Sequence, residues 1–265
     1  MRPTTVNVLV ALLIVLAPAL AVRAATQVDD KAAALMAKHR AYVGWQFGDG
    51  TFRTMRITGN VTNSKGEQVT KVVMLSDGLL YHNSYTLLDR GSVTEHTGFT
   101  GTLFWRSNVN GFTTPVYGDY AKALASFTML LREGTTGLPA AFTENKTIDG
   151  KSAAIVRVSL NNGDPIDLAI DPETGAYLQA TIDPDGAYET TYHFLSYQDV
   201  LPGKKMVSSY RIDDDKGVHN LTSFEPNIPV SDGDLHPPSA TASWTFGDGT
   251  PYPITMTHDR MLIDV

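Results

Sequence analysis

Seven histidines (His39, His82, His96, His193, His219, His236 and His258) and many serines could serve acid–base or nucleophilic chemistry. No serine sits in a Gly-x-Ser-x-Gly elbow, so spacing gives a hydrolytic triad no support. Two loop clusters carry oxygen and imidazole ligands: Asp213-Asp214-Asp215 with His219, and Asp232-x-Asp234-x-His236. Such groups suit Ca²⁺ or Zn²⁺ weakly, yet they read more simply as solvated turns. His-Glu-x-x-His, a P-loop and a dinucleotide fingerprint are absent, and neither a metal nor a cofactor is expected. Aspartic catalysis needs Asp-Thr-Gly or Asp-Ser-Gly, so that two carboxylates can share a proton. Neither tripeptide occurs, and Asp49-Gly50-Thr51 and Asp248-Gly249-Thr250 hold the letters in another order. No catalytic residue is therefore assigned.

Hydrophobic binding is the chemistry left. Leu75, Phe104, Trp105, Phe127, Leu130, Ile155, Val158, Leu168 and Ile170 are the candidates to line an apolar site for an acyl chain or a polypeptide segment. The same side chains would equally fill a solid core, and both readings stand.

The elements that must position them are mostly strands. From Gly150 to Ile212, short apolar or alternating segments are separated by Asn161-Asn162-Gly163-Asp164-Pro165, Asp171-Pro172-Glu173-Thr174-Gly175, Asp183-Pro184-Asp185-Gly186 and Pro202-Gly203-Lys204. Asp-Pro fixes φ at a turn, and the following Gly accepts positive φ. No connection is long enough for a crossover helix, so the run predicts an antiparallel meander. Upstream, Phe52–Val61, Gln68–Leu75, Gly78–Asn83, Tyr85–Arg90 and Thr100–Val109 read as strands, and Leu221–Glu225 as a last one.

Two helices are expected. Asp29–Val43 opens on acid and ends on Lys38, His39 and Arg40 before Gly44, with Ala32, Leu35, Met36, His39 and Val43 on one face. Tyr117–Glu133 places Tyr120, Leu124, Phe127, Leu130 and Leu131 on a wide apolar face. Together these predict an α+β protein: a strongly curved antiparallel half-barrel with two packed helices across its concave face.

Arg2, the apolar run Val6–Ala21 and Val22-Arg23-Ala24 have the form of a cleavable export signal over residues 1–24. The mature protein is then expected in the periplasm or secreted, without a stable membrane anchor. Net charge is −7, which disfavours a nucleic-acid partner, and the lack of cysteine removes disulfides, thiolate ligands and cysteine nucleophiles. The half-barrel is assigned to residues 25–226. Residues 227–253, rich in Pro, Ser, Asp and Gly, read as a linker or an extended edge segment. Residues 254–265 end in Met261–Val265, an apolar strand with no expected partner. Trp45–Thr51 and Trp244–Thr250 match at all but the second position. Two separate aromatic-anchored turns explain this; a paired ligand site or a duplicated half is the alternative.

Several stretches carry a resemblance. They are Ala34–Gly44, Gly98–Arg106 leading to Asn110-Gly111, Ile148-Asp149-Gly150-Lys151 leading to Ile155–Leu160, Leu168–Ile182, and Tyr197–Ile212. In order they resemble the LolA/LolB-type lipoprotein-carrier fold. More closely, the chain resembles the N-terminal region of bacterial exported retropepsin-like aspartyl proteases, in which a carrier-like domain precedes the catalytic one. Thr257–Val265 resembles the first strand of that protease domain. The resemblance implies a non-catalytic binding module of an aspartic endopeptidase, whose Asp-Thr/Ser-Gly is not in this sequence. The alternative it implies is a stand-alone periplasmic carrier of lipid or lipoprotein acyl chains in the concave face.

Overall fold

The computed structural model describes residues 29–107, 113–160, 163–213 and 217–237, and the backbone of 241–245, 251–256 and 261–263. The expected signal segment lies outside the described residues, as do the Asn110-Gly111 turn, Asp214, Asp215 and His258.

Thirteen strands form one curved, unclosed antiparallel sheet, the expected half-barrel. Helix α1 (Asp30–Val43) comes first, and β1 (Thr54–Thr62) follows. From β1 the chain steps outward through β2 (Gln68–Asp77), β3 (Leu80–Leu87), β4 (Val93–Phe99), β5 (Phe104–Ser107) and β6 (Thr113–Val116). Helix α2 (Gly118–Leu131) then carries it to the opposite edge. Strands β7 (Ala140–Ile148), β8 (Lys151–Val158), β9 (Ile166–Ile170), β10 (Tyr177–Ile182), β11 (Thr190–Leu201), β12 (Lys204–Ile212) and β13 (Val218–Pro226) step back until β13 pairs with β1. At that seam the backbones approach closely at Gly59. A Cβ there would lie 2.2 Å from the Asn220 carbonyl oxygen, beside a register shift between Thr58 and Gly59.

The turns obey the chemistry expected of them, with one exchange. The Asp171 carboxylate accepts from Glu173 N (2.8 Å) and Thr174 N (3.2 Å), and Gly175 takes φ 85°. In the next turn Asp183 (φ 54°) and Asp185 (φ 67°) adopt positive φ, not Gly186. Short polar side chains tolerate that region because they bond locally. Asp183 accepts from Tyr188 N at 2.9 Å.

Several expectations change. Gly78–Asn83 and Tyr85–Arg90 do not form two strands: Leu80–Leu87 is continuous and ends in a 3₁₀ turn, Leu88–Arg90. Strands β4, β6 and β7 went unread. The expected linker is partly ordered. Ser231 and Asp234 form a capping box at helix α3 (Asp232–Leu235), and Leu235 is buried. Beyond it, β14 (Thr241–Thr245), β15 (Pro251–Met256) and β16 (Met261–Ile263) form a separate three-stranded antiparallel sheet. The expected orphan strand therefore has a partner, with Ile254 opposite Ile263 and Met256 opposite Met261.

Helix α1 is fixed at several points. The Asp29 carboxylate caps Lys31 N (3.1 Å) and Ala32 N (3.0 Å), and accepts from Phe142 N of β7 at 2.6 Å. Hydrogen bonds from Ala32 and then Phe142 hold that carboxyl below its usual range. The buried face is the expected one: Ala32, Leu35, Met36, His39 and Val43. His39 is fully buried between Gly175 O (2.8 Å from Nδ1) and the buried Glu133 carboxylate (2.7 Å from Nε2). A carbonyl oxygen can only accept, so Nδ1 carries a hydrogen, and a second proton is shared across the Nε2–Oε2 contact. Tyr177 stacks on the imidazole, with ring centroids 3.4 Å apart.

Two outcomes follow from these contacts. Removing one partner of a buried pair leaves a desolvated polar group behind, at a cost of about 3–5 kcal/mol. Glu133→Leu and His39→Leu should each lose about that much in urea unfolding, and the double variant should lose much less than their sum. Additive losses would show that the pair is not coupled. Separately, His82 Nδ1 donates to Asp234 O of α3 (2.9 Å), and its Nε2 meets His96 Nδ1 at 2.9 Å. Burial lowers the pKa of both imidazoles. The unfolded chain then binds more protons below about pH 6.5, so stability falls as pH drops through that value. Replacing both by Gln should flatten the decline between pH 7 and pH 5; an unchanged slope would place its origin elsewhere.

Candidate functional site

Register decides which side chains face the helices. Met55 lies opposite Ser76, Ile57 opposite Met74, Met74 opposite Asn83, and Ser76 opposite Tyr81. Directly opposed residues share a face, so these six form one wall on the helix-covered side of β1–β3. Phe127, Thr128, Leu131 and Arg132 of α2 and its C-terminal turn lie across from them. Trp45, Phe47 and Phe52 from the α1–β1 connection, with Met206 of β12, complete the lining. The enclosed free space is about 70 Å³.

The α1–β1 connection is shaped by the first copy of the repeated motif. The Asp49 carboxylate accepts from Gln46 N (2.9 Å) and Thr51 N (2.8 Å), closing a tight turn. Trp45 is buried, donates from Nε1 to Lys205 O at 2.7 Å, and meets Phe52 edge-on with centroids 4.7 Å apart. The motif thus fixes an aromatic wall. Of the second copy, Trp244 and Thr245 end β14, while residues 246–250 lie outside the described residues.

One edge of the cavity is polar. Arg132 is half-buried and donates to Gly78 O in the β2–β3 turn. Burial lowers its guanidinium pKa to about 10. Among the described residues no carboxylate forms an ion pair with it. Arg53, also on the lining, is 84% exposed and lies 3.8 Å from Asp77. Burial also pushes the Tyr81 phenol upward, partly offset by the Thr128 hydroxyl.

The nine sequence candidates divide by face. Phe127 lines the cavity and stacks on Tyr192 at 5.0 Å. Leu130, Val158, Leu168 and Ile170 share its face but are packed solidly with Ala32, Leu35 and Met36. Phe104 lies on that face nearer the outer edge, stacked on Phe99 at 4.3 Å. Leu75, Trp105 and Ile155 turn the other way and correct the expected lining. Leu75 opposes His82, which opposes Gly98, which opposes Trp105, placing all four on the outer face. The indole of Trp105 fills the space a Cβ on Gly98 would need, 2.3 Å away. Ile155 packs with Ile148, Ala153 and Ala169, behind the core. Sequence reasoning missed Trp45, Phe47, Phe52, Met55, Met74, Met206 and Arg132. The repeated aromatic motif was the one signal that pointed there.

The loop clusters resolve into local pairs. Asp213 meets His193 at 2.6 Å, Asp232 meets His236 at 3.1 Å, and His219 stacks on Tyr210 at 4.6 Å. Among the described residues no three ligating side chains converge.

No protein-family model matches the chain, and no curated protein matches it. Solved structures do. A LolA superfamily protein from Nitrosomonas europaea superposes with a TM-score of 0.52 at 11% identity, covering 77% of this chain and 97% of that one. A DUF1329 family protein from Desulfovibrio piger superposes with a TM-score of 0.50 at 12% identity, covering 80% and 98%. The fold of this chain is the LolA-like half-barrel.

Proposed function

We propose that the protein is a carrier-type binding module that takes an apolar ligand, such as an acyl chain, between α2 and the β1–β3 wall. One observation carries this reading: the apolar cavity lies under a helix whose buried ties gather in its C-terminal half. At its C-terminal end, Leu130 is buried and Glu133 is held by His39. At its N-terminal end, Tyr117 is 71% exposed and provides no side-chain cap. The present space of about 70 Å³ is well below the ~300–1,000 Å³ of ordinary ligand pockets. Uptake of a chain therefore requires the N-terminal half of α2, with the β6 edge that leads into it, to move outward. The LolA-like fold and the export-signal pattern of residues 1–24 both suit such a carrier in the periplasm.

The protease-module expectation has less behind it. It rests on the resemblance of the half-barrel stretches and of Thr257–Val265 to such proteins, with no Asp-Thr/Ser-Gly in the sequence. The likenesses found are to carrier-fold proteins rather than to proteases.

The full chain should bind an apolar fluorescent probe such as N-phenyl-1-naphthylamine and release it to palmitate. Met74→Trp fills the cavity and should weaken probe binding by about tenfold or more. Leu195→Ala, at a site 50% exposed, should not. The reading fails if the wild-type chain binds no probe, or if a folded Met74→Trp variant binds it as well as the wild type does.

A further inference from the structure

The lining is not uniformly apolar, and its asymmetry points to a class of ligand. Trp45, Phe47, Phe52, Met55, Met74 and Met206 suit a hydrocarbon chain. Arg132 lies on the same lining with a backbone carbonyl, Gly78 O, as its described partner. A guanidinium offers five donors in a planar fork, and one carbonyl cannot occupy them. A cation held in apolar surroundings gains most from an anion brought to it, because little water competes there. Among the described residues no carboxylate lies within ion-pair distance of this group, and Asp77, which is itself 3.8 Å from Arg53, acts on it only from further away.

The position of Arg132 is set by its neighbour. Glu133 takes φ 51° and turns inward to His39, at the end of α2 that does not swing. Arg132 therefore stays beside the β2–β3 turn when the other end of the helix lifts. Arg53, exposed at the rim of the same lining, is paired with Asp77 and leaves Arg132 as the cation facing the space.

We infer that the ligand is an anionic amphiphile, its carboxylate or phosphate head on Arg132 and its chain along the aromatic and methionine wall. The inference rests on the carrier reading and narrows it. The guanidinium keeps its bond to Gly78 O and presents its remaining donors to the head, a two-oxygen geometry that a lysine would match less well.

The test compares palmitate, 1-palmitoyl-lysophosphatidate and hexadecanol, titrated into the full chain at pH 8 with intrinsic tryptophan fluorescence as the readout. At least one of the two anions should bind about tenfold or more tighter than the alcohol, the size of effect a charge-assisted hydrogen bond supplies. Which anion wins identifies the head as carboxylate or phosphate. Arg132→Gln should lower affinity for the preferred anion to that for hexadecanol. Arg132→Lys should recover part of the difference, which a merely folding role would not explain. Thermal unfolding of each variant checks that it is folded. If hexadecanol and the anions bind equally to the wild type, the headgroup assignment is overturned and the carrier reading survives. If none of the three binds, the carrier reading itself fails.

Discussion

The contact between His39 and Glu133 is the constraint on which most of the arrangement depends. It joins three elements that are far apart in sequence: the C-terminal half of α1, the second residue after α2, and the β9–β10 turn through Gly175 O. Both partners lie out of solvent, so neither can turn to water if the other moves. Their surroundings repeat the same condition. Tyr177 lies flat on the imidazole, bonds Thr135 through its hydroxyl at 3.2 Å, and offers its carbonyl to the Tyr197 hydroxyl at 3.3 Å. Burial, and then the Glu133 charge, holds both phenols far above their usual pKa, so they remain neutral hydrogen-bonding groups. A buried polar network of this kind specifies one geometry because partial satisfaction is costly.

The topology then gives α2 its particular place. Two meanders run in opposite senses from the β1–β13 seam, so the ends joined by α2 are the two outer edges of the sheet. A sheet that curves without closing leaves a concave face that its own side chains do not fill. On the side of β7, β8 and β12, α1 covers that face and is sewn down at Asp29, His39 and Gly44. Across from β1–β3, α2 is tied mainly through its C-terminal half: Ser126 to Asp164 O, Arg132 to Gly78 O, and the Phe127–Tyr192 stack. Both helices contribute to the core, and α2 also covers the cavity.

The sequence made the first helix legible because its apolar spacing, its acidic start and its glycine stop agree. It made the β8–β13 meander legible because each turn carries Asp, Asn, Pro or Gly where the backbone needs them. Strands β4 and β7 escaped notice because Val93–Phe99 and Ala140–Ile148 are largely polar, and β7 lies at the sheet edge, where alternation is weak. The site was harder to read than the fold. Ala153–Val156 is an unbroken apolar run, so period-2 alternation cannot say that Val156 faces the helices while Ile155 faces away. Leu75 and Trp105 were misassigned for the same reason: the face follows from register, and register is fixed only by pairing. Arg132 carries no sequence signal beyond a cation at a helix end, and its place on the cavity lining follows from Glu133 being drawn inward beside it.

The small size of the cavity is consistent with this division between rigid and compliant parts. An apolar space standing open in water would be unfavourable, and a carrier without cargo lowers that cost by letting its cover settle. Three lining side chains, Met55, Met74 and Met206, are unbranched thioethers that repack readily as volume changes. The aromatic side is different. Trp45 is pinned through Lys205 O and by the Asp49-closed turn, so it keeps its place whether the space is full or empty. In the proposed carrier, the wall that would recognise shape is thus fixed and the wall that would adapt is built of methionines. The cation that would recognise charge sits at the hinge end, where opening displaces it least.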